Sequence, residues 1–259
     1  MNNFARQLSQ SLEEMYDRAS SCEDGLLSPV SIDRGLQLLE KLGYPKDLLK
    51  NLPPSNLEVA FPCANPLPRI ISLAPETILD LGCGTALDAF FCVRSLPVLQ
   101  RLTGLDVSSK LLSKGKDLLQ QFPTEAEKIS LLQADLNHLG NYQLETSELI
   151  LMNGSFNLIF DKREFFKTLI YLLSKDGTLL IYDFILTEDL PPGFSDEVDN
   201  WLWNIGGALN ATDLEKIVTD AGLAIIAINE LEHIDPVARC EIIITHPTKL
   251  SEKINPSTQ

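Results

Sequence analysis

The sequence predicts an α/β fold: a seven-stranded, mostly parallel sheet with helices on both faces, an N-terminal helical cap, and an inserted segment after the fifth strand. Three observations carry this. Apolar strand-length runs alternate with helical stretches between Ile70 and Phe184, the pattern of a parallel sheet with covered faces. Acidic residues recur at the ends of those runs. Residues 78–90, ILDLGCGTALDAF, break from an apolar run into a glycine-rich turn and resume as a helix.

Taken in chain order, Phe4, Leu8, Leu12 and Tyr16 recur every four residues and give a first helix with one apolar stripe, expected to cover the site below. A second helix is expected from Asp33 to Leu42, with Ser31 as N-cap and Gly43-Tyr44-Pro45 as its stop. Pro53, Pro54, Pro62, Pro66 and Pro68 are expected to break regular structure across an approach loop. Ile78 and Leu79 end the first strand, Asp80 to Gly84 form the turn, and the N–H groups of Gly84 to Ala86 open the next helix. The later strands are Leu102–Asp106, Ile129–Gln133, Glu148–Asn153, Thr178–Phe184, Ala224–Glu230 and Glu241–His246, the last two forming a hairpin-like edge. Pro191-Pro192-Gly193 begins an insert carrying Trp201 and Trp203. The boundaries are therefore residues 1–69 for the cap and approach loop, 70–185 for the core, 186–250 for the insert, C-terminal helix and last strands, and 251–259 for a polar tail.

The turn has the form of a nucleotide-type cofactor site: two glycines remove side chains that would keep a ligand from the backbone. A dinucleotide fingerprint needs a third glycine where Leu87 stands, which disfavours a nicotinamide oxidoreductase. Asp106 closes the second strand about 20 residues after the glycines, the offset at which a carboxylate reaches ribose hydroxyls.

Composition sets limits. The 259 residues are 44% hydrophobic, enough for a full core, and no apolar run approaches the ~20 residues of a membrane helix. The N-terminal residues carry charges where a secretion signal would be apolar. The five cysteines, an odd number with no C-x-x-C pair, fit a reducing, cytoplasmic setting. A net charge of -15 opposes a phosphate backbone, so nucleic acid is not an expected partner. His138, His233 and His246 share no metal-ligand spacing, and no metal is expected.

The acid-x-G-x-G-x-small pattern of Asp80, Gly82, Gly84 and Ala86 resembles the first motif of class I, Rossmann-like, S-adenosylmethionine-dependent methyltransferases, which usually have glycine where Ala86 stands. The resemblance implies S-adenosylmethionine as cofactor. Its implied contacts are Tyr16, Asp80, Gly82, Cys83, Gly84, Asp88, Asp106, Val107, Asp135, Leu136 and Asn153, with Asp135 at the position that meets the adenine amino group. Three segments narrow the branch. Ala60 to Pro66 (AFPCANP), Met152 to Leu158 (MNGSFNL) followed by Asp161-Lys162, and Ile205 to Leu209 (IGGAL) are similar to segments of arsenite methyltransferases. The similarity runs with gaps from Tyr16 to Gly222. Of that family's four cysteines only Cys63 is clearly retained, because Gly154 and Asn204 fall where two others stand and Cys22 has a different context. Trivalent arsenic needs several converging thiolates. The sequence therefore points to methyl transfer onto another small molecule, with Cys63, Asn153, Ser155, Trp201, Trp203 and Asn204 as candidate acceptor-side residues. Arsenite methylation by Cys22 and Cys63, and a non-catalytic cofactor- or partner-binding module, are the alternatives. Cys83, Cys92 and Cys240 read as packed thiols.

Overall fold

The computed structural model describes residues 3–20 and 35–247. Its strands are β1 (Thr77–Leu81), β2 (Arg101–Asp106), β3 (Ile129–Gln133), β4 (Ser147–Asn153), β5 (Leu173–Leu186), β6 (Ala224–Ile234) and β7 (Val237–Thr245). They form the expected seven-stranded sheet, in the order β3-β2-β1-β4-β5-β7-β6. The chain divides into two compact units, Met1–Leu136 and Asn137–Gln259.

In the first unit β1, β2 and β3 run parallel, with Asp80 opposite Gly104 and Asp106 opposite Gln133. Ile78, Leu79 and Leu81 are all buried, as a strand covered on both faces requires. Helix α1 (Asn3–Ala19) buries Leu8 and Leu12, while Phe4 and Tyr16 at the ends of the stripe are half-buried. Helix α2 (Gly35–Lys41) is shorter than predicted, and its expected cap Ser31 and start Asp33 lie outside the described residues, as do Cys22 and the polar tail. Its stop is the predicted one. Gly43, at φ 79, donates to the Glu40 carbonyl and Tyr44 donates to that of Leu39, the paired bonds of a glycine-ended helix.

The approach loop is a correction. Instead of breaking regular structure, Pro54 opens helix α4 (Pro54–Leu57) and Pro68 lies in the first turn of α5 (Leu67–Leu73), with α3 (Lys46–Leu49) before them. Proline suits a first helical turn because the N–H it lacks has no partner there. Two boundaries also move at the glycine turn. Strand β1 continues through Asp80 and Leu81, and helix α6 (Leu87–Ser95) starts only at Leu87, because Ala86 is left-handed at φ 61 and caps it. Helices α7 (Ser109–Gln121) and α8 (Pro123–Ala126) complete the unit. Ser108 caps α7 by accepting the Leu111 N–H at 3.1 Å.

In the second unit β4 and β5 are parallel, whereas β7 is antiparallel to both β5 and β6, giving the predicted hairpin edge. Strand β5 overruns its expected end at Phe184 because Ile185 and Leu186 pair with Ala238 and Val237. The same pairing starts β7 at Val237 instead of Glu241. Helices α9 (Lys162–Leu172), α10 (Val198–Leu202) and α11 (Ala211–Asp220) complete this unit, with α10 inside the insert. Asp161 caps α9 through the Glu164 N–H, and Asn210 caps α11 through the Asp213 N–H.

Candidate functional site

The glycine turn is tied to the end of β2 by three backbone donors. The N–H groups of Gly82 and Cys83 reach the Leu105 carbonyl at 2.7 and 2.9 Å, and the Gly84 N–H donates to Asp106 Oδ2 at 2.8 Å. Asp106 Oδ1 accepts the Ser108 N–H at 2.9 Å. One carboxylate thus bridges the turn after β1 and the turn after β2. Gly82 and Gly84 have φ of 87 and 55, which a side chain would strain. A Cβ at Gly84 would meet nothing within 4 Å, so the turn borders open space.

Three acids act on one another at the turn. Asp80 is buried at the end of β1, and its Oδ2 has no hydrogen-bond partner. Burial holds its carboxyl well above the usual carboxylate range, and the charges of Asp88 and Asp106 push it further. Burial also raises Asp106, against the lowering effect of the Ser108, Gly84 and Val107 N–H groups. An orphaned buried acid oxygen next to the glycine turn, with Asp88 and Asp106 acting on it, fits a ligand that brings a cationic donor. S-adenosylmethionine, with its ammonium, is such a ligand.

The other first-unit candidates are placed as follows. The Tyr44 hydroxyl lies 2.8 Å from Asp88 Oδ1 and 2.9 Å from the Ala64 carbonyl oxygen, two acceptors for its one proton. Asp17, next to Tyr16 on α1, accepts the Ser108 hydroxyl at 2.6 Å and brings the helix beside Asp106 and Val107. Gln133 reaches both the Val107 carbonyl, at 3.0 Å, and Glu13 of α1, at 3.4 Å. Asp135 and Leu136 are half-buried just after β3, where the Ala134 N–H donates to the Asp106 carbonyl at 2.8 Å. Cys83 is packed as expected: a Cβ at Gly104 would stand 2.9 Å from its sulfur, and burial pushes the thiol well up. Cys63 and Cys92 are buried, the latter without exposure.

The second unit holds a polar cluster that joins Asn204, an expected acceptor-side residue, to Asp183, which the sequence does not single out. Asp183, fully buried on β5, accepts the Asn157 N–H at 3.1 Å and the side-chain amides of Asn157 and Asn204 at 3.0 and 2.6 Å. Burial raises its carboxyl to about 6. Asn157 Nδ2 also lies 3.0 Å from the Asn204 carbonyl oxygen, while the Oδ1 atoms of both asparagines are buried without partners. Asn204 adopts φ 63, a left-handed conformation that asparagine tolerates. Gly154 has φ 84 and donates to the Tyr182 carbonyl at 2.8 Å, so the backbone at this position favours glycine. Ser155 is buried beside it and Asn153 is half-buried at the end of β4.

The two tryptophans part company. Trp201 donates from Nε1 to the Ser195 carbonyl at 2.9 Å and stacks 5.7 Å from Phe160, anchoring the insert. Trp203 is half-buried at the C-cap of α10. The signal that could have exposed the cluster was Asp183 itself, an acid inside the otherwise apolar run TLLIYDF.

A parallel sheet whose first strand enters a glycine turn, closed by an acid from the second, defines an α/β protein of the nucleotide-cofactor class. The profile of a methyltransferase-domain family matches residues 74–222, more than half of the chain, and the chain belongs to that family, one of S-adenosylmethionine-dependent methyltransferases. Among curated relatives, an arsenite methyltransferase of Halobacterium salinarum is 25% identical over 73% of this chain and 47% of its own length. The chain spans about half the length of the curated relatives it matches. Among solved structures, an arsenic (III) S-adenosylmethionine methyltransferase from Chlamydomonas reinhardtii aligns with TM-score 0.65 at 19% identity, covering 78% of this chain and 73% of that one. The [4+2]-cyclase SpnF aligns with TM-score 0.63 at 15% identity, over 92% and 96%. These likenesses concern the fold, which hosts more than one chemistry. Among the described residues no helix is long and apolar enough to cross a membrane.

Proposed function

We propose that this chain transfers a methyl group from S-adenosylmethionine to a small organic acceptor. The observation that carries the cofactor half is the Asp80–Gly84–Asp106 constellation: an orphaned carboxylate oxygen, an open glycine cradle and an acid bridging the two turns. Asp106 would meet ribose hydroxyls, Asp135 the adenine amino group, and Asp80 and Asp88 the cationic end, with Tyr16, Gly82, Cys83, Val107 and Leu136 as further contacts. The cofactor supplies an electrophilic methyl on a sulfonium whose charge is neutralised on transfer. The chain's own task is then orientation and exclusion of water, worth several kcal/mol of the barrier.

The acceptor reading rests on what stands at the thiol positions. Gly154 and Asn204 cannot bind arsenic, and the Asn157–Asn204–Asp183 cluster presents hydrogen-bonding groups instead. Among the described residues no three His, Cys, Asp or Glu side chains form a group able to hold a metal ion. Polar side chains beside Trp201, Trp203, Ser155 and Asn153 suit an organic molecule better than a thiophilic metalloid. Three curated relatives named arsenite methyltransferase favour arsenite as the second reading. The net charge of -15 supports a small-molecule acceptor over nucleic acid, and the free, buried cysteines suit a reducing cytoplasm.

The test is a calorimetric titration with S-adenosylmethionine, with NADH as control, followed by labelled-methyl transfer to arsenite plus thiol and to a panel of organic amines, alcohols and thiols. Binding of S-adenosylmethionine alone, with label entering an organic acceptor, is the expected result. Label entering arsenite would replace the acceptor reading, and absence of binding would favour a non-catalytic module.

A further inference from the structure

Lys162 opens α9 with its side chain buried, 6% exposed. Its Nζ donates to the Ile159 carbonyl at 2.8 Å and the Asn157 carbonyl at 3.4 Å, and stands 5.1 Å from the ring centre of Phe156 and 5.4 Å from that of Trp201. Cations attract ring faces at such distances, more strongly once desolvated. The carbonyls and Phe156 belong to the turn after β4, whereas Trp201 belongs to α10 in the insert. One ammonium therefore joins two segments about forty residues apart.

Burying an ammonium is costly, and apolar residues of similar volume often serve stability as well or better. Its presence here points to geometry. The Asn157 peptide that Lys162 holds is the one whose side chain reaches Asp183 and Asn204. The packing leaves little slack, since a side chain at Gly207 would overlap both the Asn157 carbonyl oxygen and the Trp201 ring.

We propose that Lys162 is a positioning residue that locks the Trp201 segment onto the turn after β4, and so holds Asn157, Asn204 and Asp183 in one arrangement. That this arrangement is the acceptor side rests on the function proposed above; the lock itself does not. Asp183 on β5 is the charged group acting on Lys162, and Lys162 is the charged group acting on Asp183. Burial lowers the ammonium to about 7, so the lock loosens as pH rises past that value.

The experiment reads the indole N–H signal of Trp201 by nuclear magnetic resonance in the full Trp203→Phe chain, where it is the one indole present. We expect a single sharp signal at pH 6.5 that shifts with pH as Lys162 and Asp183 titrate. Adding Lys162→Met should remove the lysine's share of that shift and split or broaden the signal, while affinity for S-adenosylhomocysteine stays within about twofold. An unmoved, sharp signal in the Lys162→Met chain would overturn the proposal. So would rapid exchange of that indole N–H with solvent while Lys162 is in place, a measurement that stands even if Lys162→Met fails to fold. Loss of S-adenosylhomocysteine binding with Lys162 present, alongside the expected indole behaviour, would count against the methyltransferase reading and leave the lock intact.

Discussion

Replacing Gly84 by alanine isolates the role of the open space beside the glycine turn. Gly84 has φ 55 and Gly43, which ends α2, has φ 79, and a Cβ at either position would meet nothing within 4 Å. Both alanine variants therefore suffer the same backbone strain, about 1–2 kcal/mol for a left-handed L-residue, and neither meets a steric clash in the free chain. For a chain of this size that lowers Tm by roughly 2–8 °C. Only at Gly84 does the added methyl enter space that the cofactor would occupy. Overpacking there costs about 1–3 kcal/mol of binding, or roughly a 5- to 150-fold rise in Kd. Scanning calorimetry of the free proteins and calorimetric titration with S-adenosylmethionine measure the two effects separately. The reasoning is refuted if Gly84→Ala binds within twofold of the parent chain, or if Gly43→Ala loses as much affinity.

Three more outcomes are expected. Asp106→Asn turns an amide NH2 toward either the Gly84 or the Ser108 N–H, so S-adenosylmethionine binding should weaken about tenfold (~1.5 kcal/mol) and Tm should fall; unchanged affinity would remove Asp106 from the site. Gly104→Ala places a Cβ 2.9 Å from the Cys83 sulfur and should destabilise by about 1–3 kcal/mol; adding Cys83→Ala should restore part of that in a double-mutant cycle, and strict additivity would argue against the contact. Lys162 titrates at about 7 in the folded chain against an ordinary 10.5, so between these values the unfolded chain binds the extra proton and stability rises with pH. Asp183, raised to about 6, acts in the opposite sense: its contribution is complete below 3.8 and lost as pH rises through about 6. Urea unfolding from pH 7 to 10 should show the parent chain gaining on Lys162→Met by up to the order of 1 kcal/mol per pH unit, and parallel curves would contradict the buried cation.

What could be read from the sequence was what a local backbone requirement writes into residue type. Gly82 and Gly84 marked a turn open to a ligand, Asp106 followed from the spacing of a strand–helix–strand unit, and Gly43 marked a helix end before Pro45. The helix-opening roles of Pro54 and Pro68 were missed because proline ends one element and begins another with the same letter. The true ends of β5 and β7 were missed because pairing between the strands decides them, and polar or charged residues such as Arg239 hide the apolar pattern. Asn204 was named from its segment, but its union with Asn157 and Asp183 was illegible for a related reason: these three lie between twenty and fifty residues apart. Lys162 bonds to near neighbours in sequence, yet its contact with Trp201 exists only once α9 and α10 are assembled. Of the two tryptophans, only the structure distinguishes the anchor, Trp201, from its half-buried neighbour.

Ala86 holds a left-handed conformation that an alanine does not favour, enforced by the turn around it, with its N–H bonded to the Cys83 carbonyl at 2.8 Å. Glycine would hold the same backbone here without the strain, so this alanine trades stability for a methyl group packed without exposure at the mouth of α6.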